Sequence, residues 1–208
     1  RRTPAMEYVR HLPQLVRKGD ICIDIGANLG YYARTLARLV GPAGCVHAVE
    51  PVEPIRKVLN RNLRRCSNVT VHPFALGTEN KPVSMGNDSV RKTGYLGTGQ
   101  NFVNDSGDAV AVEFRADMRR GSELFGGLPR LDFIKCDIEG YERIVMREMQ
   151  PLLERFRPTV LIETGGANRQ AVIGLFTAMG YAGFTLDGGR EVPLGPATPE
   201  KDIIFRPR

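Results

Sequence analysis

The sequence has no tryptophan, only three histidines and only four cysteines in 208 residues. A structural zinc site needs clustered Cys and His ligands, and a disulfide framework needs a pattern of paired cysteines. The cysteines show no C-x-x-C spacing and the histidines form no cluster. We therefore expect no metal site, reduced thiols that pack as small apolar side chains, and a cytoplasmic location. The cysteines are Cys22, Cys45, Cys66 and Cys136.

Long apolar runs are also missing. No stretch approaches the ~18 residues that a membrane-spanning helix needs, so we expect no membrane span. No basic and then apolar leader stands at the start. The chain opens with Arg1 and Arg2 rather than methionine, from which we expect that it is trimmed or part of a longer polypeptide. No sequence feature indicates an oligomeric state.

Acidic residues are outnumbered, with 23 Asp and Glu against 29 Lys and Arg, which gives a net charge of +6. Such a balance permits an acidic substrate or a nucleic acid without requiring one. One face of a predicted helix carries Lys57, Arg61, Arg64 and Arg65. Neither interleaved aromatic residues nor a recognisable nucleic-acid-binding module accompanies this face. We interpret it as solvated and expect no nucleic-acid partner.

Strand-like and helix-like segments alternate along most of the chain. The predicted strands are 21–25, 45–50, 69–74, 131–137, 158–163, 181–186 and 202–206, and the predicted helices are 31–40, 52–65, 141–156 and 168–179. Regular β-α-β alternation favours a mostly parallel sheet with helices on both faces. We expect one domain, residues 1–208, that begins with a helical segment over 1–18.

Residues 77–127 interrupt this alternation. They hold many Gly, Asn, Asp and Pro residues around two short strand-like pieces, 81–85 and 109–114. An irregular segment of this length in a compact domain is usually a functional loop or a lid. We predict a hairpin-like insertion over the carboxyl edge of the sheet, where ligands bind in such folds. Disorder of its tip, 87–105, is the alternative. Candidate acceptor contacts in it are Tyr95, Asn101 and Phe102.

The segment Asp24-Ile-Gly-Ala-Asn-Leu-Gly30 joins the first predicted strand to the first predicted helix. A glycine turn at this position is typical of nucleotide-binding α/β folds. The dinucleotide pattern G-x-G-x-x-G would require glycines where this chain has Asn28 and Tyr31, and its second glycine lets the backbone approach a pyrophosphate. A site with Asn28 there and the Asp24 carboxylate nearby suits a ligand with an ammonium group and a ribose, such as S-adenosylmethionine.

A second carboxylate ends the next predicted strand, in Cys45-Val-His-Ala-Val-Glu50-Pro51. Its distance from Asp24 along the chain is close to that of the acidic residue that binds ribose hydroxyls in dinucleotide folds. A carboxylate can accept hydrogen bonds from both hydroxyls of a cis-diol. We therefore predict that Glu50 binds a ribose and that Pro51 holds the turn after it.

A third acidic group follows the predicted strand 131–137, in Lys135-Cys-Asp-Ile-Glu-Gly-Tyr-Glu142. Strand alternation places Lys135 and Asp137 on one face. Asp137 then stands at the carboxyl end of the strand, where the ligand crevice is expected. Gly140 permits the turn, and Glu142 is interpreted as the start of a helix.

These motifs together resemble the FkbM family of S-adenosylmethionine-dependent methyltransferases. The resemblance runs over roughly residues 15–206 and is most specific in the Lys-x-Asp-x-Glu-Gly block; it includes Asn68-Val69, Ala75-Leu76-Gly77, Arg157-Pro158, Glu163 and Asp202-Ile-Ile-Phe205. It implies a class I methyltransferase fold, a three-layer, Rossmann-like α/β domain. The implied sheet has seven mostly parallel strands with the last one inserted antiparallel. The implied activity is methyl transfer, mostly to hydroxyl oxygens of sugars or natural products.

The resemblance also implies which residues bind the donor. Its methionine part would be surrounded by Asp24, Gly26, Ala27, Asn28 and Gly30, its ribose would meet Glu50 and Pro51, and its adenine would lie against the backbone of Phe74, Ala75 and Leu76. This chain has no acid directly after its third predicted strand, where many class I enzymes bind the adenine amine. Adenine recognition is then left to backbone groups or to the insertion 77–127.

A hydroxyl acceptor must lose its proton, so we expect a base near the reacting methyl group. The candidate catalytic residues are Asp137 and Glu139, with Glu163 as a third. Lys135 would orient these carboxylates or stabilise a developing alkoxide. A Mg²⁺ ion held by Asp137 and Glu163 is an alternative, because paired carboxylates can hold this ion together with waters. The expected acceptor is a small molecule or a glycan.

Other functions remain as alternatives. A methyltransferase acting on nitrogen or on nucleic acid is disfavoured because no Asn/Asp-Pro-Pro-Tyr/Phe motif stands at the end of the fourth predicted strand. A nicotinamide-dependent oxidoreductase is disfavoured by Asn28. A module that binds an adenosyl group without catalysis is the third alternative, which the intact acidic cluster does not favour.

Overall fold

A computed structural model describes residues 4–195 and 201–208. The strands in these ranges are β1 (Ile21–Ile25), β2 (Cys45–Val49), β3 (Val69–His72), β4 (Phe74–Gly77), β5 (Lys81–Asn87), β6 (Phe102–Val103), β7 (Val112–Arg120), β8 (Phe133–Cys136), β9 (Thr159–Glu163), β10 (Tyr181–Asp187), β11 (Arg190–Pro193) and β12 (Asp202–Pro207). The helices are α1 (Pro4–Leu15), α2 (Tyr31–Val40), α3 (Glu53–Leu63), α4 (Ser89–Thr93), α5 (Gly121–Leu124), α6 (Glu142–Glu148), α7 (Gln150–Phe156) and α8 (Gly166–Ala178).

The main sheet has the strand order β11-β10-β12-β9-β8-β1-β2-β3. Strands β9, β8, β1, β2 and β3 are parallel neighbours, and β12 lies antiparallel between β9 and β10. The predicted α/β class, with its antiparallel last strand, is confirmed. The predicted number of seven strands is wrong, because the chain turns back at Gly188 and Gly189 to add β11. Both glycines have positive φ, which a tight two-residue hairpin turn requires.

Helices cover both faces of the main sheet, as expected for a three-layer domain. In α2 the buried residues Ala33, Leu36, Ala37 and Val40 recur at helical spacing, so one stripe of the helix faces the sheet. This stripe packs with α1 and α3 into one apolar core, while α6, α7 and α8 pack into a second core on the opposite face.

Two predicted elements are divided at or beside prolines. The predicted strand 69–74 is interrupted at Pro73, so that β3 belongs to the main sheet and β4 to a second sheet. Proline has no N–H to donate to a strand ladder, which explains the break. The predicted helix 141–156 is two helices, and Pro151 lies in the first turn of α7, where a missing N–H costs nothing.

Residues 77–127 form most of the second sheet, whose order is β4-β7-β5-β6. Strands β5 and β7 pair antiparallel from Lys81 opposite Met118 to Asn87 opposite Val112. The predicted piece 81–85 lies within β5, and the piece 109–114 overlaps the start of β7. The tip carries α4 and β6. A small core of Ala75, Met85 and Met118 joins this sheet to Val52 and Ile55 at the start of α3.

The fold also shows the state of the four thiols and the surroundings of the basic face of α3. All four cysteines are free, and burial raises the pKa of the Cys22 thiol. On α3 the Lys57 ammonium makes an exposed ion pair with Glu53 at 2.9 Å, as expected of a solvated face. Within residues 4–195 and 201–208, no helix has the length and apolar character needed to cross a membrane.

Candidate active site

A cavity of about 550 Å³ opens at the carboxyl ends of β1, β2 and β8, the edge where open α/β sheets bind ligands. Its volume suits a small molecule of cofactor size. The predicted site residues in its wall are Gly26, Ala27, Asn28, Glu50, Pro51, Ala75, Leu76, Lys135, Asp137 and Glu139. The predicted site residues Asp24, Gly30 and Glu163 do not line it.

The glycine turn after β1 ties this strand to its two neighbours. The N–H groups of Gly26 and Ala27 both donate to the carbonyl oxygen of Val49, at 3.0 and 2.9 Å. Gly26 has a φ of 78°, and a Cβ atom there would lie 2.0 Å from the carbonyl oxygen of Asp137. The turn therefore has room for hydrogen only, and the tips of β1 and β8 lie in direct contact.

Gly30 has a different role, because it caps the start of α2. Its φ is 88°, and a Cβ atom there would lie 2.7 Å from Leu59 of α3. This glycine lets α2 approach α3 closely, and its place outside the cavity wall follows from that packing.

Glu50 lies one residue beyond β2 and is held by the backbone. Its Oε2 accepts the N–H of Asn28 at 3.0 Å, and its Oε1 accepts the N–H of Val52 at 2.9 Å. Burial raises the pKa of this carboxyl, and the two N–H donors and Arg56 oppose the rise. Each carboxylate oxygen can accept two hydrogen bonds, so acceptor positions remain for two hydroxyl groups.

Two buried oxygens beside this wall have no hydrogen-bond partner among the described residues, Asp24 Oδ2 and Asn28 Oδ1. Asn28 has a φ of 49°, a left-handed conformation that asparagine adopts more easily than most residues. Asp24 is 1% exposed. Its pKa is raised to about 7 by burial, with Lys135 opposing and Asp137 adding to the rise. Of the two, only Asn28 belongs to the cavity wall, so its Oδ1 is the one that a ligand in the cavity could reach.

Lys135 supplies the buried positive charge of the site. Its Nζ lies 3.1 Å from Asp137 Oδ2 and 4.8 Å from the centre of the Tyr32 ring. Burial lowers the pKa of this ammonium, but the charges of Asp137, Asp24 and Asp202 outweigh burial, so the pKa is raised overall. Lys135 therefore stays charged although its side chain is only 2% exposed.

The loop after β8 presents Glu139 to the cavity. Burial raises the pKa of Glu139 to about 7, and the charges of Asp137 and Glu163 add to the rise. Glu142 holds this loop in place, because its Oε1 accepts the N–H groups of Ile138 and Gly140 at 3.2 and 2.9 Å. Glu142 is also the first residue of α6, as interpreted from the sequence.

Glu163 and Asp202 lie opposite each other in the paired strands β9 and β12. Burial, followed by the charge of the neighbouring Asp137, raises the pKa of Glu163. Glu163 does not line the cavity itself but lies near Asp137, which does. Within the described part of the chain, no group of three or more His, Cys, Asp or Glu side chains is arranged to hold a metal ion.

The family assignment follows from the sequence match. The family described as "Methyltransferase FkbM domain" matches residues 24–182. The chain belongs to the FkbM methyltransferase family. This match confirms the predicted resemblance and, with it, S-adenosylmethionine as the predicted cofactor.

Known proteins agree with the FkbM fold over unequal lengths. A crystal structure of the methyltransferase FkbM from Methylobacillus flagellatus KT has a TM-score of 0.62 at 14% identity, covering 98% of this chain and 50% of that one. Aeropyrum pernix fibrillarin, solved with natively bound S-adenosyl-L-methionine, has a TM-score of 0.52 at 16% identity, covering 92% of this chain and 68% of that one. At such identities these likenesses show the fold alone.

A curated relative matches more closely over a shorter stretch. The protein-L-isoaspartate O-methyltransferase of Methanothrix thermoacetophila is 38% identical over 50 residues, which is 24% of this chain and 24% of that protein. The chain thus covers about a quarter of this relative and half of the M. flagellatus protein.

Several residues that line the cavity of this FkbM-family domain escaped the sequence reasoning. They are Val9, Tyr31, Tyr32, Thr35, Phe74 as a side chain, Met85, Thr98, Gly99, Val103, Ile138 and Tyr141. The tyrosines follow the glycine turn and the acidic block, a position that could have drawn attention to them. Of the acceptor candidates in the insertion, Asn101 lines the cavity, whereas Tyr95 is 69% exposed and lies outside the wall with Phe102.

Proposed function

We propose that this chain is an S-adenosylmethionine-dependent methyltransferase that acts on a hydroxyl oxygen of a small molecule or a glycan. One observation carries the proposal: a single cavity presents the backbone-held Glu50 carboxylate beside the Lys135–Asp137 ion pair. The first feature suits binding of a ribose, and the second suits removal of a proton. The family match supports the donor and the reaction type.

The polar groups of the cavity fit the donor. Glu50 would hold the ribose diol, since its oxygens keep free acceptor positions. The unpartnered Asn28 Oδ1 in the cavity wall would accept from the donor's ammonium group, and the buried Asp24 carboxyl lies behind this wall. Ala75 and Leu76 give the apolar wall against which adenine would lie. When bound, the donor supplies a methyl group on a sulfonium that is already a good leaving group.

We assign Asp137 as the base that receives the acceptor's proton. Its side chain is 33% exposed at the cavity wall, so an acceptor hydroxyl can reach it. Lys135 holds the Asp137 carboxylate from behind at 3.1 Å. Glu163 lies beside Asp137, and burial together with the Asp137 charge raises the pKa of Glu163. Such a base contributes about 10²- to 10⁴-fold to the rate, in addition to alignment of the reacting atoms.

Glu139 is the second candidate base, and its surroundings suggest a different role. Because its pKa is raised to about 7, it can carry a proton near neutral pH. It can then donate to one acceptor hydroxyl while Asp137 accepts from another. Together with Asn101 in the wall, these groups suit an acceptor that carries several hydroxyl groups.

The donor assignment is tested by calorimetric titration of the chain with S-adenosylmethionine, S-adenosylhomocysteine and NADH. We expect both adenosyl compounds to bind and NADH not to bind. Preferential binding of NADH would overturn the proposed function and favour an oxidoreductase.

The acceptor assignment is tested by screening hydroxylated small molecules, glycans, nucleosides and peptides with donor labelled in the methyl group. Label on a hydroxyl oxygen is the expected result, and label only on nitrogen or on nucleic acid would overturn it. With the acceptor in hand, Asp137→Asn should lower kcat about 10²-fold or more with donor affinity unchanged. Asp117→Asn, on the exposed side of β7, is the control and should match the wild type.

A further inference from the structure

Asn87, the last residue of β5, is the centre of a buried hydrogen-bond network in the insertion. It is 0% exposed. Its Nδ2 donates to the carbonyl oxygen of Gly97 and to Oδ1 of Asn101, each at 2.9 Å. Its Oδ1 accepts the N–H and the hydroxyl of Ser89, at 3.0 and 2.5 Å. All four hydrogen-bonding positions of this amide are thus used.

Ser89 holds the same loop from the other side. Its hydroxyl oxygen accepts the N–H of Gly97 at 2.7 Å, so Gly97 is anchored through both its N–H and its carbonyl group. Asn101, the other residue held by Asn87, donates to the carbonyl oxygen of Thr98 at 2.7 Å. The loop Gly97–Asn101 is therefore fixed at both ends by two side chains that do not themselves line the cavity.

This loop lies directly over the proposed donor site. Thr98, Gly99 and Asn101 are part of the cavity wall. A Cβ atom on Gly99 would lie 3.3 Å from Nδ2 of Asn28, so the loop backbone passes close to the Asn28 side chain. Asn28 in turn donates its N–H to Glu50. A continuous set of contacts runs from Asn87 through the loop to the two residues proposed to hold the donor.

We propose that Asn87 is a positioning residue for the donor site, which it acts on by holding the loop Gly97–Asn101 against Asn28. This inference rests on the proposed function and adds to it the part of the insertion that completes the donor pocket. The loop has few apolar contacts of its own and two glycines, Gly97 and Gly99, so its ordering carries a large entropic cost. The hydrogen bonds of Asn87 and Ser89 order the loop before the donor binds. Donor binding is therefore tighter, because it does not have to supply the free energy of ordering the loop.

The test measures the dissociation constant of S-adenosylhomocysteine, together with hydrogen exchange of the loop amides, in variants that do not touch the ligand. Asn87→Ala removes the centre of the network, and Ser89→Ala removes the acceptor of the Gly97 N–H together with the hydroxyl donor to Asn87 Oδ1. Two controls are matched to them. Asn68→Ala deletes another amide with two bonds to backbone carbonyls, at Ala37 and Gly41. Ser84→Ala deletes a serine hydroxyl of β5 that donates to Glu113 outside the network.

Both network variants should bind S-adenosylhomocysteine about tenfold more weakly than the wild type, the equivalent of one buried hydrogen bond or more. Their loop amides should exchange faster, and both controls should keep the wild-type affinity. If Asn87→Ala does not fold, the affinity of Ser89→Ala for S-adenosylhomocysteine tests the proposal by itself.

Wild-type affinity in the folded network variants would overturn the positioning role, even if the loop exchanges faster. An equal loss of affinity in Asn68→Ala would overturn it too, since general destabilisation would then be sufficient. Absence of ligand binding by the wild-type chain would instead overturn the proposed function, and with it this inference.

Discussion

The Lys135 ammonium and the Asp137 carboxylate lie 3.1 Å apart, on the same face of one chain segment at the tip of β8. Two residues of separation along a strand place side chains on one face, so the pair follows from local geometry. The charges around the pair do not follow from local geometry, because Asp24 from β1 and Asp202 from β12 act on the same ammonium. Lys135 is the positive charge that lets several carboxyl groups share a small, mostly buried volume.

Replacing this cation should disable the base. Lys135→Met removes the positive partner of Asp137, Asp24 and Asp202. The pKa values of Asp24 and Asp202 are already raised to about 7, so more of the carboxyl groups bind protons at neutral pH in this variant. We expect kcat to fall about 10²-fold, and the acidic limb of the pH–rate profile to move to higher pH. Lys57→Met, which removes an exposed ammonium paired with Glu53, is the control. An unchanged profile in Lys135→Met would contradict this account.

The negative charge of Glu50 should strengthen donor binding. In Glu50→Gln one oxygen is replaced by an NH₂ group that faces a backbone N–H, and the charged acceptor is lost. Hydrogen bonds to charged groups contribute about 1.5–3 kcal/mol, so the dissociation constant of S-adenosylhomocysteine should rise about 10- to 100-fold. Calorimetry measures the change.

Glu148→Gln is the matched control for this variant. Glu148 is also buried and accepts a backbone N–H, from Ser122 at 3.0 Å, but it lies outside the cavity wall. Its substitution should reduce stability without changing donor affinity. Equal affinities of the Glu50 variant and the wild type would rule out a ribose contact at this carboxylate.

Gly26 should tolerate no side chain, for two separable reasons. Alanine at a φ of 78° costs about 1–2 kcal/mol, and its Cβ would also clash with the Asp137 carbonyl oxygen 2.0 Å away. Gly19 has a similar φ of 85° with no atom within 4 Å, so Gly19→Ala measures the conformational part alone. Urea unfolding should show a clearly larger loss of stability for Gly26→Ala. Equal losses would mean that β1 and β8 can separate at no cost.

The two histidines of β2 and β3 should make stability depend on pH in the acidic range. The His47 Nδ1 and His72 Nε2 atoms are 3.0 Å apart, and both rings pack edge-on against Phe125. Burial, and then the neighbouring His47, lower the pKa of His72 from its usual 6.5 to about 4. The unfolded chain therefore binds a proton at higher pH than the folded chain does.

The sign of the effect follows from this difference. The stabilising contribution is present above pH 6.5 and is lost as the pH falls from 6.5 towards 4. His72→Gln, which does not titrate, should flatten the dependence of unfolding free energy on pH in this window. Urea midpoints measured across the window check it, and a slope equal to that of the wild type would contradict the lowered pKa.

The strand and helix pattern could be predicted from the sequence because it depends on local signals. The apolar run before Asp24, the glycine at 30 and the proline at 51 mark element ends that the structure reproduces within a residue or two. Two features escaped this reasoning. Pro73 divides one predicted strand between two sheets, and β11 pairs only because β10 offers it an edge. Pairing partners are decided by tertiary contacts, which periodicity does not encode.

In the candidate site, too, some features could be predicted from the sequence and others could not, as four carboxylates show. Glu50 and Asp137 each follow the last residue of their strands, and both line the cavity. Asp24 and Glu163 lie within their strands, one residue before the end of β1 and at the end of β9, and neither lines it. For these four carboxylates, a difference of one or two residues at the strand end separates the side chains that line the cavity from those that do not. Strand ends cannot be read from a sequence with that accuracy.

Glycine turns and strand-end acids are local features, so the family, the mostly parallel main sheet and most of the proposed donor-binding residues that line the cavity could be predicted from the sequence. Two features follow from tertiary packing alone: Lys135 balances carboxyl groups from three chain segments, and the loop Gly97–Asn101 passes close to Asn28. Both depend on segments far apart in the chain being brought within a few ångströms. Such approach is governed by packing of the whole domain, in which each buried charge needs a partner.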